Sequence, residues 1–125
     1  AIRRQARDES AEIASGTVRA VIAVRHLRDQ WFDPALGEAD WSILLEALAA
    51  RLEGQTLGLS ELGQAAGLAK TTALSAVNRL IARGMLVRRA HSQDERIALI
   101  DLTDEAADHL RAYLRGAFSL SPCGA

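Results

Sequence analysis

The chain has 125 residues, of which 49% are hydrophobic, 25% charged and 4% aromatic. A chain of this length has room for one hydrophobic core, so residues 1–125 are predicted to form a single domain. Fifteen basic residues against sixteen acidic ones leave a net charge of −1. This balance excludes a chain-wide positive field, so a nucleic-acid-binding surface would require charge to be segregated along the chain.

The sequence predicts a cytoplasmic protein without a membrane partner. No apolar run approaches the ~20 residues of a transmembrane helix, and the arginine-containing start lacks a signal-peptide core. The single cysteine, Cys123, has no intramolecular disulfide partner, which is typical of a reducing compartment. A redox-sensing Cys123 is the less favoured alternative, because no basic residue lies close to it in the sequence to activate the thiol.

A long amphipathic helix is predicted over 8–31, within a flanking segment 8–32. Its apolar or small residues recur at the three- and four-residue spacing of a helix stripe. They are Ile13, Thr17, Ala20, Val21, Val24, Leu27 and Trp31. A helix of this length spans roughly 35 Å, more than one short neighbour covers, so contact with a partner subunit is expected. Pro34 ends the helix because it disfavours helical geometry at Asp33.

Two shorter helices follow, separated by an extended stretch. The first is predicted to run from residue 38 or 40 to 51, with early acidic residues that suit its N-terminus. Its predicted buried face consists of Trp41, Leu44, Leu45 and Leu48. Residues 55–59 are predicted to be extended, and Ser60 is predicted to be the N-cap of a helix over 61–66.

A longer helix and two strands are predicted next. Gly67 closes the short helix in a left-handed conformation, and a helix over 70–83 ends at Gly84. Strands over 85–89 and 96–102 are then joined by a polar turn.

The last predicted helix belongs to a flanking segment over 103–119. Thr103 is its predicted N-cap, and two acidic residues follow in the first turn. Its apolar stripe consists of Ala106, Leu110, Tyr113, Leu114, Ala117 and Phe118.

The order of elements over 36–102 is that of a winged helix-turn-helix. Small residues at Gly63, Ala66 and Gly67 permit the steep crossing of its two helices. The predicted fold is therefore mainly α with a small β-hairpin wing: a winged helix-turn-helix core flanked by N- and C-terminal dimerisation helices.

The helix over 70–83 has a polar face suited to base edges. At 100° per residue its apolar positions fall on one side; they are Ala73, Ala76, Val77, Leu80 and Gly84. Thr71, Leu74, Ser75, Asn78 and Ala82 fall opposite, with Arg79 at the margin. Hydroxyl and amide groups hydrogen-bond to bases, whereas Leu74 suits a thymine methyl group. The alternative is an ordinary amphipathic helix with a solvated face.

Charge segregation favours the DNA interpretation. Residues 69–96 carry six basic and two acidic side chains, a net of +4. Residues 1–68 carry −3 and residues 97–125 carry −2. The basic excess therefore coincides with the predicted recognition helix and wing.

Three groups of residues resemble the multiple-antibiotic-resistance regulator (MarR) family of bacterial transcription factors. They are Leu59-Ser60-Glu61-Leu62 with Gly67-Leu68, Arg79-Leu80 with Arg83-Gly84-Met85-Leu86-Val87-Arg88-Arg89, and Asp94-Glu95-Arg96 leading to Asp101-Leu102-Thr103. The last group, an Asp-x-Arg wing before Leu-Thr at a helix start, is the most specific. The chain departs from the family pattern at Ala69, where serine is usual, and at Gly63, where alanine is usual.

The resemblance implies a homodimeric regulator of double-stranded DNA with a pseudo-palindromic site. Lys70, Thr71, Thr72, Ser75 and Asn78 would lie in the major groove. Arg96 would reach toward the minor groove from the wing, oriented by Asp94. Arg88 and Arg89 would contact phosphates and supply affinity rather than sequence choice. Arg79 completes the predicted DNA-binding set.

Other functions are weighed against this one. A winged helix used only for protein interaction or dimerisation is the main alternative. No catalytic motif or cofactor site stands out, and His26, His91 and His109 lack metal-ligand spacing. His91 is a candidate phosphate contact. The resemblance also implies a small aromatic effector, for which Trp31, Phe32 and Trp41 are candidate pocket residues, although core packing is the favoured interpretation for them.

Overall fold

The structure, a computed structural model, describes residues 13–91, 93–94 and 96–120, with residue 120 described by its backbone alone. Within these residues the chain forms five helices and three strands. They are α1 (Ser15–Trp31), α2 (Glu38–Leu52), β1 (Leu57–Gly58), α3 (Leu59–Ala65), α4 (Lys70–Ala82), β2 (Leu86–Ala90), β3 (Ala98–Leu102) and α5 (Asp104–Leu120). The mainly helical winged-helix fold is confirmed. Residues 8–12 of the first predicted helix and Cys123 lie outside the described residues.

Contacts divide the chain into two compact units. The central unit is Asp33–Arg111, which contains the winged helix. The terminal unit combines the segment up to Phe32 with the segment from Ala112 onward. The prediction of a single domain stays a prediction. No helix in the described part of the chain has the length and apolar character needed to cross a membrane.

Helix α2 lies at the centre of the central unit and packs against α3, α4 and β3. Leu44 and Leu48 are buried as predicted, whereas Trp41 and Leu45 are only half-buried. The predicted face omits Ile43, which is fully buried. The omission arose because α2 is covered by three elements, so its buried surface is broader than one amphipathic stripe.

The start of α3 corrects the prediction for Ser60. The helix begins at Leu59 with Gly58 as its N-cap, so Ser60 lies inside the first turn. The Gly58 N–H donates to Glu61 Oε1 at 3.2 Å. A carboxylate in the first turn thus accepts from the N-cap backbone N–H, and Ser60 is not the N-cap that the sequence predicted.

Two glycines end the helices of the helix-turn-helix as predicted. Gly67 follows α3 with φ +70°, and Gly84 follows α4 with φ +74°. These left-handed conformations are strained for residues that carry a Cβ. The two turns direct the chain first into α4 and then into β2.

The sheet contains one strand more than the predicted hairpin. Its order is β1-β3-β2, and both neighbours of β3 are antiparallel to it. Leu57 lies opposite Ile100, and Leu86 lies opposite Leu102. Strand β1 comes from the stretch predicted to be extended. The sheet therefore fastens the residues before α3 to the base of the wing.

Thr103 joins the sheet to α5 and is the predicted cap. Its Oγ1 accepts a hydrogen bond from the Ala106 N–H at 3.2 Å and donates one to the Gly84 carbonyl at 2.9 Å. The hydroxyl therefore caps α5 and also fixes the turn that follows α4.

The terminal unit brings α1 together with the second half of α5. Helix α1 begins at Ser15 and not earlier within the described residues, because Ala14 has extended geometry. Phe32 and Tyr113 form an edge-to-face ring contact with centroids 5.5 Å apart. A Cβ on Gly116 would lie 3.3 Å from Leu27 Cδ2, so the two helices approach closely there.

Candidate nucleic-acid interface

Helix α4 presents the polar face predicted from its sequence. Ala73, Ala76, Val77 and Leu80 are buried. The exposed residues are Lys70, Thr71, Thr72, Leu74, Ser75, Asn78, Arg79 and Ala82. Leu74, 40% exposed, is the one large apolar side chain among them. The assignment of the two faces is therefore confirmed for the residues within α4, whereas Gly84, predicted on the buried side, lies beyond the helix and is exposed. Short polar groups dominate the surface that faces outward.

The N-terminus of α4 lacks a side-chain cap. Ala69 occupies the N-cap position with extended backbone geometry and makes no capping hydrogen bond. Backbone N–H groups in the first helical turn have no carbonyl acceptor within the helix, and the helix dipole makes this end positive. With the exposed Lys70 beside it, this end of α4 can donate hydrogen bonds to a phosphate oxygen.

Strand β2 and helix α4 are joined by an exposed hydrogen bond. Arg88 Nη2 donates to Asn78 Oδ1 at 2.9 Å. Both residues belong to the predicted site, and the structure brings them together. The Asn78 oxygen has a second lone pair, so it can accept a further hydrogen bond while it binds Arg88, and its NH₂ group can donate. A bidentate contact to adenine uses one acceptor and one donor, and both are available on Asn78.

The wing contains the ion pair expected between Asp94 and Arg96. Arg96 Nε donates to Asp94 Oδ1 at 3.1 Å, and Nη2 donates to Oδ2 at 3.2 Å. The Arg96 backbone N–H also donates to Asp94 Oδ1, at 3.0 Å. These hydrogen bonds lower the pKa of the Asp94 carboxyl below its ordinary value. The side chain of Arg96 is nevertheless 90% exposed, so the guanidinium pairs with Asp94 while it remains open to solvent.

Two further side chains of the wing make local contacts. Arg89 Nε lies 3.6 Å from Asp101 Oδ2, across the β2–β3 pair, and the Arg89 side chain remains more than half exposed. His91 Nδ1 accepts a hydrogen bond from the Gln93 N–H at 3.0 Å. The other ring nitrogen, Nε2, is therefore the one suited to an outside acceptor. Ser92 and Glu95, in the same turn, lie outside the described residues.

Arg79 differs from the other predicted site residues, because it binds a buried carboxylate of the protein. Its Nε and Nη2 donate to Asp40 Oδ1 at 3.1 and 2.8 Å. Asp40 is the one charged residue among those recorded as buried. The sequence interpretation missed Asp40, which it treated as an acid favourable to the start of α2. No local pattern connects two residues that are 39 positions apart.

The aromatic residues considered for an effector pocket belong to different units: Trp31 and Phe32 to the terminal unit, and Trp41 to the central unit. Phe32 is 7% exposed and packs against Tyr113 in the terminal unit. Trp41 lies on α2, in the central unit, and is half-buried. The terminal unit does contain an apolar cavity of about 410 Å³ between α1 and α5, with other residues around it. Its lining consists of Ala20, Val21, Val24, Arg25, Leu114, Ala117 and Phe118.

Metal-ligating side chains do not gather in the described part of the chain. Within those residues, no group of three or more His, Cys, Asp or Glu side chains is arranged to hold a metal ion.

Comparison with known proteins points to one family. Residues 38–97, just under half of the chain, match the family model described as MarR family. That segment contains α2, β1, α3, α4 and β2. No curated protein sequence matches the chain.

Solved structures share the fold. The PcaV transcriptional regulator from Streptomyces coelicolor is 24% identical with a TM-score of 0.58, covering 86% of this chain and 78% of its own. The S. aureus MepR–DNA complex is 18% identical with a TM-score of 0.60, and the coverage is 76% and 72%. CouR, a transcriptional repressor bound to a 23-mer DNA duplex, is 24% identical with a TM-score of 0.52, and the coverage is 82% and 65%. At these identities the similarity establishes a common fold.

Proposed function

We propose that the chain, whose residues 38–97 match the MarR family model, is a DNA-binding transcriptional regulator of this family and not an enzyme. It binds a pseudo-palindromic site as a homodimer. One recognition helix α4 enters the major groove of each half-site, and the wing, residues 88–96, lies near the minor groove.

The observation that carries this proposal is the outward face of α4 next to the exposed cations of the wing. Lys70 and the free end of α4 suit a phosphate, whereas Thr71, Thr72 and Ser75 present hydroxyl groups of a length suited to base edges. Two of the relatives with this fold were solved as DNA complexes, MepR and CouR.

The cations of the wing divide into two roles in this proposal. Arg88 and Arg89 contact phosphates, so they contribute affinity that falls with salt. Arg96, aligned by Asp94, enters the narrower groove, where a guanidinium is attracted by the negative potential. A protein with near-zero net charge then reaches DNA through one basic face of each subunit.

The homodimer rests on the apolar surface of α1. Val18 and Val21 are 50% and 54% exposed, and Phe118 of α5 is 63% exposed. These side chains belong to the terminal unit and include two that line its apolar cavity. A contiguous exposed apolar surface of this kind marks an association site, and a two-fold interface between identical copies places two recognition helices on one duplex.

An effector is part of the proposal only as a small aromatic molecule. The structure of PcaV was also solved in complex with its natural ligand. For this chain, thermal unfolding with and without simple aromatic acids is the test. A concentration-dependent rise in melting temperature supports an effector, and no rise with any of them counts against it.

DNA binding is tested by selecting duplexes from a random-sequence pool and titrating the wild-type protein with the selected site at several salt concentrations. Arg96→Ala is expected to weaken binding by about tenfold or more, the cost of one lost charged contact. Arg111→Ala is the matched control. It removes the same charge from α5, where Arg111 Nη1 lies 3.5 Å from Asp108 Oδ1, outside the proposed interface.

The results separate the two candidate functions. A DNA-binding regulator selects a sequence and loses affinity steeply as salt rises. If the pool yields no preferred sequence and binding shows no salt dependence, the chain is instead a winged helix for protein interaction. If Arg96→Ala leaves both the affinity and the salt slope unchanged, the wing assignment fails alone.

A further inference from the structure

Asp40 is a buried carboxylate that joins two helices of the central unit. Its side chain is 4% exposed, whereas the side chain of its partner Arg79 is 51% exposed. One oxygen, Oδ1, accepts both hydrogen bonds from Arg79, at 3.1 and 2.8 Å. The other oxygen, Oδ2, accepts the backbone N–H of Gly37 at 3.1 Å. Each carboxylate oxygen therefore has a different task.

The two tasks lie on different helices. The bond from Gly37 fixes Asp40 within the first turn of α2, because Gly37 is the N-cap of that helix. The bonds from Arg79 fix the last turn of α4 to the same carboxylate. A guanidinium that donates through Nε and Nη2 is held in orientation as well as in distance. The C-terminal end of the recognition helix α4 is thereby tied to the first turn of α2.

We propose that Asp40 is a positioning residue for DNA recognition, which acts by holding Arg79 so that the outward face of α4 has a fixed orientation on the central unit. Arg79 then serves as the tether and is not a contact to DNA. This inference rests on the proposed function, because it concerns how the same recognition helix is aimed.

A second ion pair near the end of α4 shows why the Asp40 pair is different. Arg83 Nη1 donates to Asp33 Oδ2 at 2.8 Å, as short as the contact to Asp40. Asp33 has a 53% exposed side chain, however, so water replaces Arg83 readily and the pair restrains little. Asp40 has no such access to water, and a buried carboxylate without its cation is strongly unfavourable. The burial of the carboxylate therefore makes one pair a restraint and leaves the other a surface contact.

The test uses the full chain with Asp40→Asn, Arg79→Met and the double variant, and Arg83→Met is the matched control. An Asn side chain has one oxygen, so it can accept from Gly37 or from Arg79 but turns an NH₂ group toward the other donor. Each variant is titrated with the selected duplex and with a random-sequence duplex over a range of salt concentrations. Melting curves establish that the titrated protein is folded.

A positioning role predicts a loss of specificity without a loss of phosphate contacts. Asp40→Asn and Arg79→Met are each expected to weaken binding to the selected site about tenfold, the order of one lost base contact. The random-sequence affinity and the salt slope should stay unchanged. The double variant should lose no more than the worse single variant, because both changes break one interaction. Arg83→Met should keep the ratio of selected to random affinity.

A phosphate contact by Arg79 predicts the opposite pattern. Arg79→Met would then lower both affinities and reduce the salt slope by about 0.9, whereas Asp40→Asn would leave binding unchanged; this result overturns the inference. If Asp40→Asn does not fold, Arg79→Lys decides. Lysine keeps the charge but loses the planar fork, so a positioning role predicts loss of the selected site, and retained specificity overturns it. Wild-type protein without DNA binding would overturn the proposed function and this inference together.

Discussion

The two units of the molecule treat similar amphipathic helices differently. Helix α2, in the central unit, has six buried residues among fifteen, whereas α1, in the terminal unit, has none among seventeen. Both helices contain regularly spaced apolar residues. The central unit therefore closes a core of its own, while no residue of α1 is fully covered by the described part of the chain. A hydrophobic stripe in a sequence predicts that a surface will be covered, but not whether the covering element belongs to the same chain.

The largest expected effect comes from creating a cavity in the core of the central unit. Leu80 on α4 is fully buried, so Leu80→Ala is expected to lower the free energy of unfolding by about 2–5 kcal/mol. Leu74→Ala on the same helix is the matched control, because Leu74 is 40% exposed. Its expected change is within about 0.5 kcal/mol. Urea unfolding measures both, and equal costs for the two leucines would show that the central unit does not hold the core assigned to it.

A charge introduced on α1 tests whether the exposed apolar residues of this helix contact a second copy of the chain. Val21 is 54% exposed, so Val21→Asp should leave the fold of the central unit intact. In a homodimer the new carboxylate would be buried against the partner at a cost of about 3 kcal/mol, roughly a 100-fold weaker association. Light scattering and sedimentation over a range of protein concentrations measure the change.

Gln30→Asp is the control for this experiment. Gln30 is exposed on α1 and lies on the side of the helix opposite Val21, at 100° per residue. The Gln30→Asp variant should therefore keep the molecular mass of the wild-type assembly. A wild-type chain that is monomeric at micromolar concentration, or a Val21→Asp variant that dimerises normally, would contradict the proposed role of α1.

Helix α4 and its partner Asp40 show which features could be predicted from the sequence and which could not. The faces of α4 follow from periodicity, because each residue's environment depends on its angle around one helix. The contact between Arg79 and Asp40 depends on how two distant helices pack, and local spacing contains no information about that. Ser60 shows a third case: α3 begins two residues earlier than predicted, so Gly58 is the N-cap and its N–H donates to Glu61.

A substitution where α3 crosses α4 is expected to change stability less, but in a clear direction. A Cβ built on Gly63 would lie 2.8 Å from Ala73 Cβ, closer than such atoms approach. Gly63→Ala is therefore expected to cost about 1–3 kcal/mol, although alanine is the better helix former by roughly 1 kcal/mol. This close approach gives a physical reason for glycine at position 63.

Relief of the clash provides the control. Ala73→Gly removes the opposing methyl group, so Gly63→Ala should be less harmful in that background, and the double-mutant cycle should show a favourable coupling. Gln64→Ala, at the exposed position next to Gly63, should be nearly neutral. If Gly63→Ala raises stability in the wild-type background, the close crossing of α3 and α4 is wrong.

The smallest expected effect concerns the ion pair at the start of α5, in the central unit. Arg51 Nη2 donates to Asp104 Oδ1 at 2.7 Å, and this hydrogen bond holds the pKa of the Asp104 carboxyl below its ordinary value of 3.8. A depressed carboxyl pKa in the folded state stabilises the fold above the unfolded pKa, and the contribution is lost as the pH falls through the folded pKa. The difference in unfolding free energy between wild type and Asp104→Asn should therefore be constant near neutral pH and vanish only below pH 3.8.

Glu105→Gln is the control, because it removes a neighbouring charge and leaves the Arg51 pair intact. Urea unfolding of this variant across the same pH range should show no matching loss. Asp104 is exposed, and Arg51 Nη1 also donates to the Leu102 carbonyl at 3.3 Å. Because that second bond survives the substitution, a large destabilisation by Asp104→Asn at neutral pH would mean that the junction between sheet and α5 depends on the ion pair and not on the Thr103 cap.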